Sequence, residues 1–196
     1  MPNEHPFAGK WNHNSRHYPT IGDLVDGCRV VLDVGCGDGT LAHYLARRGH
    51  QVIGIDLDPA LLPPDSEDVH FMMGDATGLQ FADDSFDAVV SVMLLHQTRL
   101  ELALVEMRRV LKPGGLLVNL GIARDKGVGD LGRTVLDTIA EPFSRRGTTS
   151  WQPGTTQLPA RLGWQETHEA IDRMLPGVEF RRVPGWRYLA TWRRPV

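Results

Sequence analysis

Cysteine is scarce in this chain: 196 residues hold two, Cys28 and Cys36, and neither belongs to a CxxC pair or another zinc-ligand spacing. A disulfide framework and a zinc cluster are both excluded on that count, and a reducing, cytoplasmic setting is the expectation. No apolar run approaches the roughly 20 residues that span a bilayer. The first residues include Pro2, Glu4, His5 and Pro6 rather than a basic region followed by an apolar run, which does not resemble a secretory signal. Excess positive charge is also lacking, with 21 Lys and Arg against 24 Asp and Glu for a net charge of -3. A chain of that balance offers no electrostatic case for nucleic acid.

What is present is a composition of the globular class, 41% hydrophobic and 23% charged. The length suits one domain over 1–196. From Arg29 onward, short apolar runs alternate with helix-period stretches, the pattern of βαβ units and a parallel sheet. Strands are predicted over 29–35, 51–57, 69–75 and 86–94, with a fifth in "LLVNLGIA". Helices are predicted in "TLAHYLARRG", over 98–111 and over 165–175. Pro59, Pro63 and Pro64 leave at most one or two helical turns after the second strand. A further helix is predicted in "DLGRTVLDTIAEPFSRR", followed by a loop, and "VEFRRV", Pro184-Gly185 and "WRYLATWRR" read as a β-hairpin. The fold class is therefore α/β, a Rossmann-like, seven-stranded, mostly parallel sheet with helices on both faces and a C-terminal antiparallel hairpin. Its segments are a cap over 1–27, a core over 28–122, a lid or substrate segment over 123–165, and a final helix and hairpin over 166–196.

The chemistry concentrates in "DVGCGDGT" at 33–40, which joins a strand to a helix, the position where open α/β sheets bind ligands. A dinucleotide fingerprint, GxGxxG, would need glycine at 40, but 40 is Thr and the third glycine is Gly39. Asp33 just before the loop suits a ligand carrying an ammonium group better than a pyrophosphate. A cofactor with an amino-acid tail fits, its carboxylate meeting backbone N–H groups and its ammonium the acid.

With "GIDLD", "GDATGL", "SVMLLH" and "RRVLKPGG" following in order, the chain resembles the class I S-adenosylmethionine-dependent methyltransferases, in particular the small-molecule members of the methyltransferase 11 branch. The resemblance runs from about Asp33 to Gly115. It implies that Asp33, Gly35, Cys36 and Gly37 hold the methionine end, that Asp56 accepts from the ribose hydroxyls, and that Leu57 packs on the adenine. Asp75 and Ala76 would read the adenine edge, and the backbone around Ser91 and Val92 would face the methionine moiety. Taken alone, Asp56 and Asp75 read better as helix caps or turn formers. The product would be S-adenosylhomocysteine.

For the acceptor, the motifs of DNA amino-methylating and cytosine-C5 enzymes are missing, which favours a small molecule over nucleic acid, with the protein as monomer or homodimer. His96, ending the fourth strand, is a candidate general base, or alternatively a helix cap or pocket wall. Trp151 and Phe143 are candidates for closing an apolar pocket, with core packing as the alternative. "WNHNSRHYP" at 11–19 places His13 and His17 four apart, a spacing open to metal, but no third ligand accompanies them and no metal is expected. By the resemblance, Tyr18 and His17 would contact the methionine end, His17 as a second catalytic candidate, with Trp11, His13 and Asn14 toward the acceptor. A surface cap without ligand contact stays open beside this, as do a nicotinamide-dependent oxidoreductase and a non-catalytic cofactor-binding module. If Asp56 holds the ribose, Asp56→Ala weakens S-adenosylmethionine binding by about 1–3 kcal/mol in calorimetric titration; unchanged affinity removes it from the site.

Overall fold

The computed structural model describes residues 10–124, 149–150, 154–155 and 158–196. Two short strands stand apart from the main sheet: β1 (Lys10–Trp11) runs parallel to β7 (Thr149–Ser150). The main sheet comprises β2 (Val30–Val34), β3 (Gln51–Asp56), β4 (Val69–Met73), β5 (Phe86–Val92), β6 (Leu111–Ile122), β8 (Glu179–Val183) and β9 (Arg187–Arg193). Their order is β4-β3-β2-β5-β6-β9-β8, parallel from β4 to β6, with β9 antiparallel to both neighbours. The α/β class, the seven strands and the antiparallel hairpin are as the sequence predicts.

Each face of the sheet carries helices because the central strands are apolar on both sides. Tyr18, Ile21, Leu41 and Leu45, from α1 (Tyr18–Leu24) and α2 (Thr40–Ala46), pack against Val31, Val90 and Val118. On the opposite face Leu104, Met107 and Ile171, from α3 (Leu100–Val110) and α4 (Trp164–Met174), cover Leu32, Val89 and Leu117. The prolines after β3 leave no helix there, only turns around Asp58–Leu62.

The end of α3 differs from expectation. Pro113-Gly114-Gly115 is the predicted stop, yet the chain is already extended at Leu111, which pairs with Phe86 and opens β6. Burying Leu111 beside Phe86 outweighs one more helical turn. The predicted helix inside 130–146 lies outside the described residues, as do Phe143 and Trp151.

The strand order reverses between β2 and β5, so the crevice at their carboxyl ends is the switch point of the sheet. Beyond it, Gly121 of β6 faces Tyr188 of β9, and a Cβ at 121 would run into the Tyr188 ring and hydroxyl. Tyr188 is buried and stacked on Phe180 at 4.7 Å, so it has nowhere to move. Gly121→Ala therefore lowers unfolding free energy by about 1–3 kcal/mol in urea titration; an unchanged midpoint would show that the ring yields.

Candidate active site

The glycine loop is bolted to the strand beside it. Gly35 and Cys36 both donate their N–H to the Ile55 carbonyl, at 2.8 and 2.9 Å. Gly37 donates to Asp56 Oδ2 at 2.9 Å, and Gly39 to the Cys36 carbonyl at 3.0 Å. Only glycine suits this path: Gly37 and Gly39 have φ of 54° and 72°, and a Cβ at 39 would meet the Phe71 ring at 2.5 Å. Asp38 Oδ1 accepts from the Thr40 N–H and hydroxyl at the start of α2. Four loop amides are thus spent inside the protein, and the sequence expectation of a row of free N–H donors there is corrected.

Beside the loop lies a cleft of about 590 Å³ at the switch point. Asn14, Tyr18, Asp33, Gly35, Cys36, Gly37, Asp56, Leu57, Asp75 and Ala76, all singled out from the sequence, line it. Five aspartates, at 33, 38, 56, 58 and 75, border this space, and no Lys, Arg or His among the described residues does.

Asp33 is the most telling of them. It is 1% exposed, and Oδ2 has no hydrogen-bond partner. Burial, reinforced by the negative charges of Asp56 and Asp38, pushes its carboxyl up to about 8, with the Ala42 N–H opposing in part. Asp56 sits at the end of β3, with Oδ1 accepting from the Asp58 N–H at 3.0 Å and Oδ2 from Gly37. Each oxygen keeps a second lone pair for a ligand. Leu57 is 69% exposed at the rim, a bare apolar side chain beside the cleft. Asp75 takes the Thr77 N–H and hydroxyl on Oδ1, which holds its carboxyl below the usual range, so its turn-forming role is real whatever else it does.

Several predicted residues lie elsewhere. Ser91 is buried in the sheet, its Oγ accepting from Asn119 Nδ2 at 2.6 Å, and the cleft begins one residue later at Val92. His96 lies outside this cleft and lines the chamber next to it. The Cys36 thiol is driven far above its ordinary value by burial and the nearby Asp33 and Asp56, which makes it a poor nucleophile.

The N-terminal run explains itself through the hairpin 170 residues away. Asn12 caps the short 3₁₀ turn Ser15–His17, its Oδ1 accepting the N–H groups of Asn14 and Ser15 at 2.8 and 2.7 Å. That turn aims three side chains at the β8–β9 turn. His17 Nε2 donates to the Pro184 carbonyl at 2.9 Å, Asn14 Oδ1 accepts from Arg187 Nε at 2.9 Å, and the His13 ring meets Trp186 edge-on at 5.7 Å. His13 and His17 are not among the cleft's lining residues, while Tyr18 and Asn14 are. Trp11 contributes backbone pairing to Ser150, and its side chain lies outside the described residues. Expectation and structure part at His17 because its burial partner is a backbone carbonyl far along the chain, invisible in local sequence.

Residues that sequence reasoning missed also line the cleft: Asp38, Met93, Leu94, Gln97 and Thr98, with Thr155 and Leu158 opposite. Met93 carries a φ of 59°, a conformation that costs free energy without glycine, and it stands at a strand's carboxyl end. That position was the available signal; Thr155 and Leu158 gave none.

Glycine loop, switch-point cleft and acidic lining come together at the carboxyl ends of β2 and β5. The Methyltransferase domain family matches residues 32–119. An uncharacterised methyltransferase of Mycobacterium tuberculosis is 31% identical over 95% of this chain and 98% of its own length. A demethylmenaquinone methyltransferase of Renibacterium salmoninarum is 45% identical over 48% of this chain and 41% of its own. Among solved structures, a SAM-dependent methyltransferase of Methanosarcina mazei superposes with a TM-score of 0.62 at 20% identity, covering 91% of this chain and 98% of that one. The chain belongs to the class I S-adenosylmethionine-dependent methyltransferases.

His17 gives a stability signature. Burial lowers its value from 6.5 to about 4, against the opposing hydrogen bond to Pro184. The unfolded ring takes its proton near 6.5 and the folded ring only near 4, so this contribution is complete above 6.5 and lost as pH falls toward 4. Between pH 7 and pH 5 roughly 2 kcal/mol disappears by this route. Denaturant titration at both pH values should show His17→Gln, which keeps a donor but does not titrate, losing about that much less than wild type. Equal losses would contradict the assignment.

Proposed function

We propose that this enzyme binds S-adenosylmethionine in the acidic cleft and transfers its methyl group to a small-molecule acceptor. The observation that carries the reading is polarity. S-adenosylmethionine bears a sulfonium and an ammonium, and a site bordered by five aspartates without a basic side chain among the described residues favours such a ligand. A dinucleotide pyrophosphate would meet carboxylates where it needs free N–H donors or cations, which disfavours the oxidoreductase alternative. Asp33, through its unpartnered Oδ2, would receive the ammonium; Asp56 would accept from the ribose hydroxyls; Leu57 would lie against the base, and Ala76 near its edge.

When bound, the sulfonium supplies an electrophilic methyl group, and the protein's contribution is chiefly alignment of the acceptor. Tyr18 forms a wall near Asp33, its hydroxyl kept protonated far into the alkaline range by burial and by the charges of Asp33 and Asp38. His96 remains the candidate base: burial lowers its value and Arg187 adds to the effect, so the ring is neutral and able to accept a proton at pH 7. The small-molecule acceptor is supported by the demethylmenaquinone relative. No described helix is long and apolar enough to cross a membrane, and we infer a cytoplasmic enzyme without nucleic-acid partners, monomeric or homodimeric.

Calorimetric titration with S-adenosylmethionine, S-adenosylhomocysteine and NAD decides between the readings: the first two should bind and NAD should not, and the reverse sinks the proposal. Asp33→Asn adds a second arm. A carboxyl raised from 3.8 to about 8 costs the fold nothing below the unfolded value and progressively more as pH rises from 3.8 toward 8. The asparagine variant should therefore melt higher than wild type at pH 8 while binding S-adenosylmethionine more weakly; lower melting with unchanged binding would refute the role.

A further inference from the structure

Next to the acidic cleft is a second chamber of about 370 Å³, whose charged lining is two arginines against one glutamate. Gln97 and Thr98 line both spaces, so the two are neighbours across one turn of chain after β5. Leu95, Leu100, Leu102, Ile122 and Leu162 give the chamber apolar walls. Its charged and titratable lining is Arg99, Arg161, His96 and Glu101, with Tyr188 buried at the end of β9.

Neither Arg99 nor Arg161 is in an ion pair with a described carboxylate, although the Arg99 charge reaches Asp75 weakly. Both ring nitrogens of His96 are buried without a hydrogen-bond partner. Against the lowering by burial and Arg187, the Leu158 backbone acts on the ring to raise its value. Arg187, mostly buried and held by Asn14 Oδ1 and the Gly185 carbonyl, adds a further positive charge to the surroundings of His96. Buried polar atoms without partners are costly, and at the wall of a chamber a ligand is one way to complete their bonding.

Resting on the cofactor reading above, we propose that this chamber is the acceptor site and that it takes an apolar molecule carrying an anionic group, most simply a carboxylate. The apolar body lies along Leu100, Ile122 and Leu162. Arg161 and Arg99 receive the anion, which the five aspartates exclude from the neighbouring cleft. An ammonium-bearing acceptor is disfavoured for the mirror-image reason. Size sets a second filter, since a chamber of this volume encloses a medium-length chain or one or two rings and not a polymer.

The test uses binding rather than turnover. Octanoate, 4-phenylbutyrate, 1-octanol and octylamine are titrated into the full-length protein, with and without saturating S-adenosylhomocysteine. The carboxylates should bind at least tenfold more tightly than the alcohol and the amine, and raised salt should weaken them. Arg161→Gln and Arg99→Gln should each reduce carboxylate affinity several-fold, and Leu162→Trp, filling the chamber from its partly exposed wall, should abolish it while leaving S-adenosylhomocysteine affinity unchanged. Equal binding of carboxylate, alcohol and amine overturns the proposal, as does carboxylate binding that survives Leu162→Trp. Protein that binds S-adenosylhomocysteine but no carboxylate overturns the chamber alone; protein that binds neither overturns both readings.

Discussion

A buried carboxylate without a counter-charge, Asp33 at the carboxyl end of β2, sets the terms for the rest of the site. Its surroundings make the problem worse, because Asp38 and Asp56 stand close enough to push its value further up. A fold that keeps such a group gives up stability in the free state, and a positive ligand recovers it. The glycine loop has the same logic. By donating its amides to Ile55, Asp56 and Cys36, it gives up the anion-binding character common to strand-to-helix glycine loops, leaving a site whose sign is set by side chains.

Opposite polarity next door completes the arrangement. Sulfonium donor chemistry needs two ligands held in line, and a protein that draws the cation to one side and an anion to the other obtains part of that ordering from charge alone. His96 lines the second chamber, next to the Gln97 and Thr98 that border both spaces, and is uncharged at pH 7 because burial and Arg187 both oppose protonation. The N-terminal run contributes at one remove. Asn14 touches the cleft while its Oδ1 fixes Arg187, so the cap and the hairpin turn form a single support behind the junction of the two spaces.

Much of this was legible in the sequence, for identifiable reasons. Strand ends and the helix at Thr40 were readable because burial on both sheet faces leaves unbroken apolar runs and glycine marks the turn. Asp33, Asp56, Leu57 and Ala76 could be placed beside the cleft because they stand at or just beyond the carboxyl ends of strands. What escaped is long-range. The His17 to Pro184 bond, the Arg187 to Asn14 bond and the pairing of Lys10–Trp11 with Thr149–Ser150 join segments more than a hundred residues apart, and no local pattern encodes them. The Ser91 side chain turns into the sheet while its neighbour Val92 reaches the cleft, because side chains alternate along a strand. The second chamber was invisible for a related reason: Arg99, Ile122, Leu162 and Tyr188 come from four separate parts of the fold.

The central claim is that Asp33 waits, uncompensated, for a cation. Carboxyl ¹³C titration of Asp33 by NMR, in free protein and in protein saturated with S-adenosylhomocysteine, measures it directly. The account predicts a carboxyl titrating near 8 in the free state and well below neutrality once the ammonium is bound. A value that saturation with S-adenosylhomocysteine leaves unmoved would contradict it.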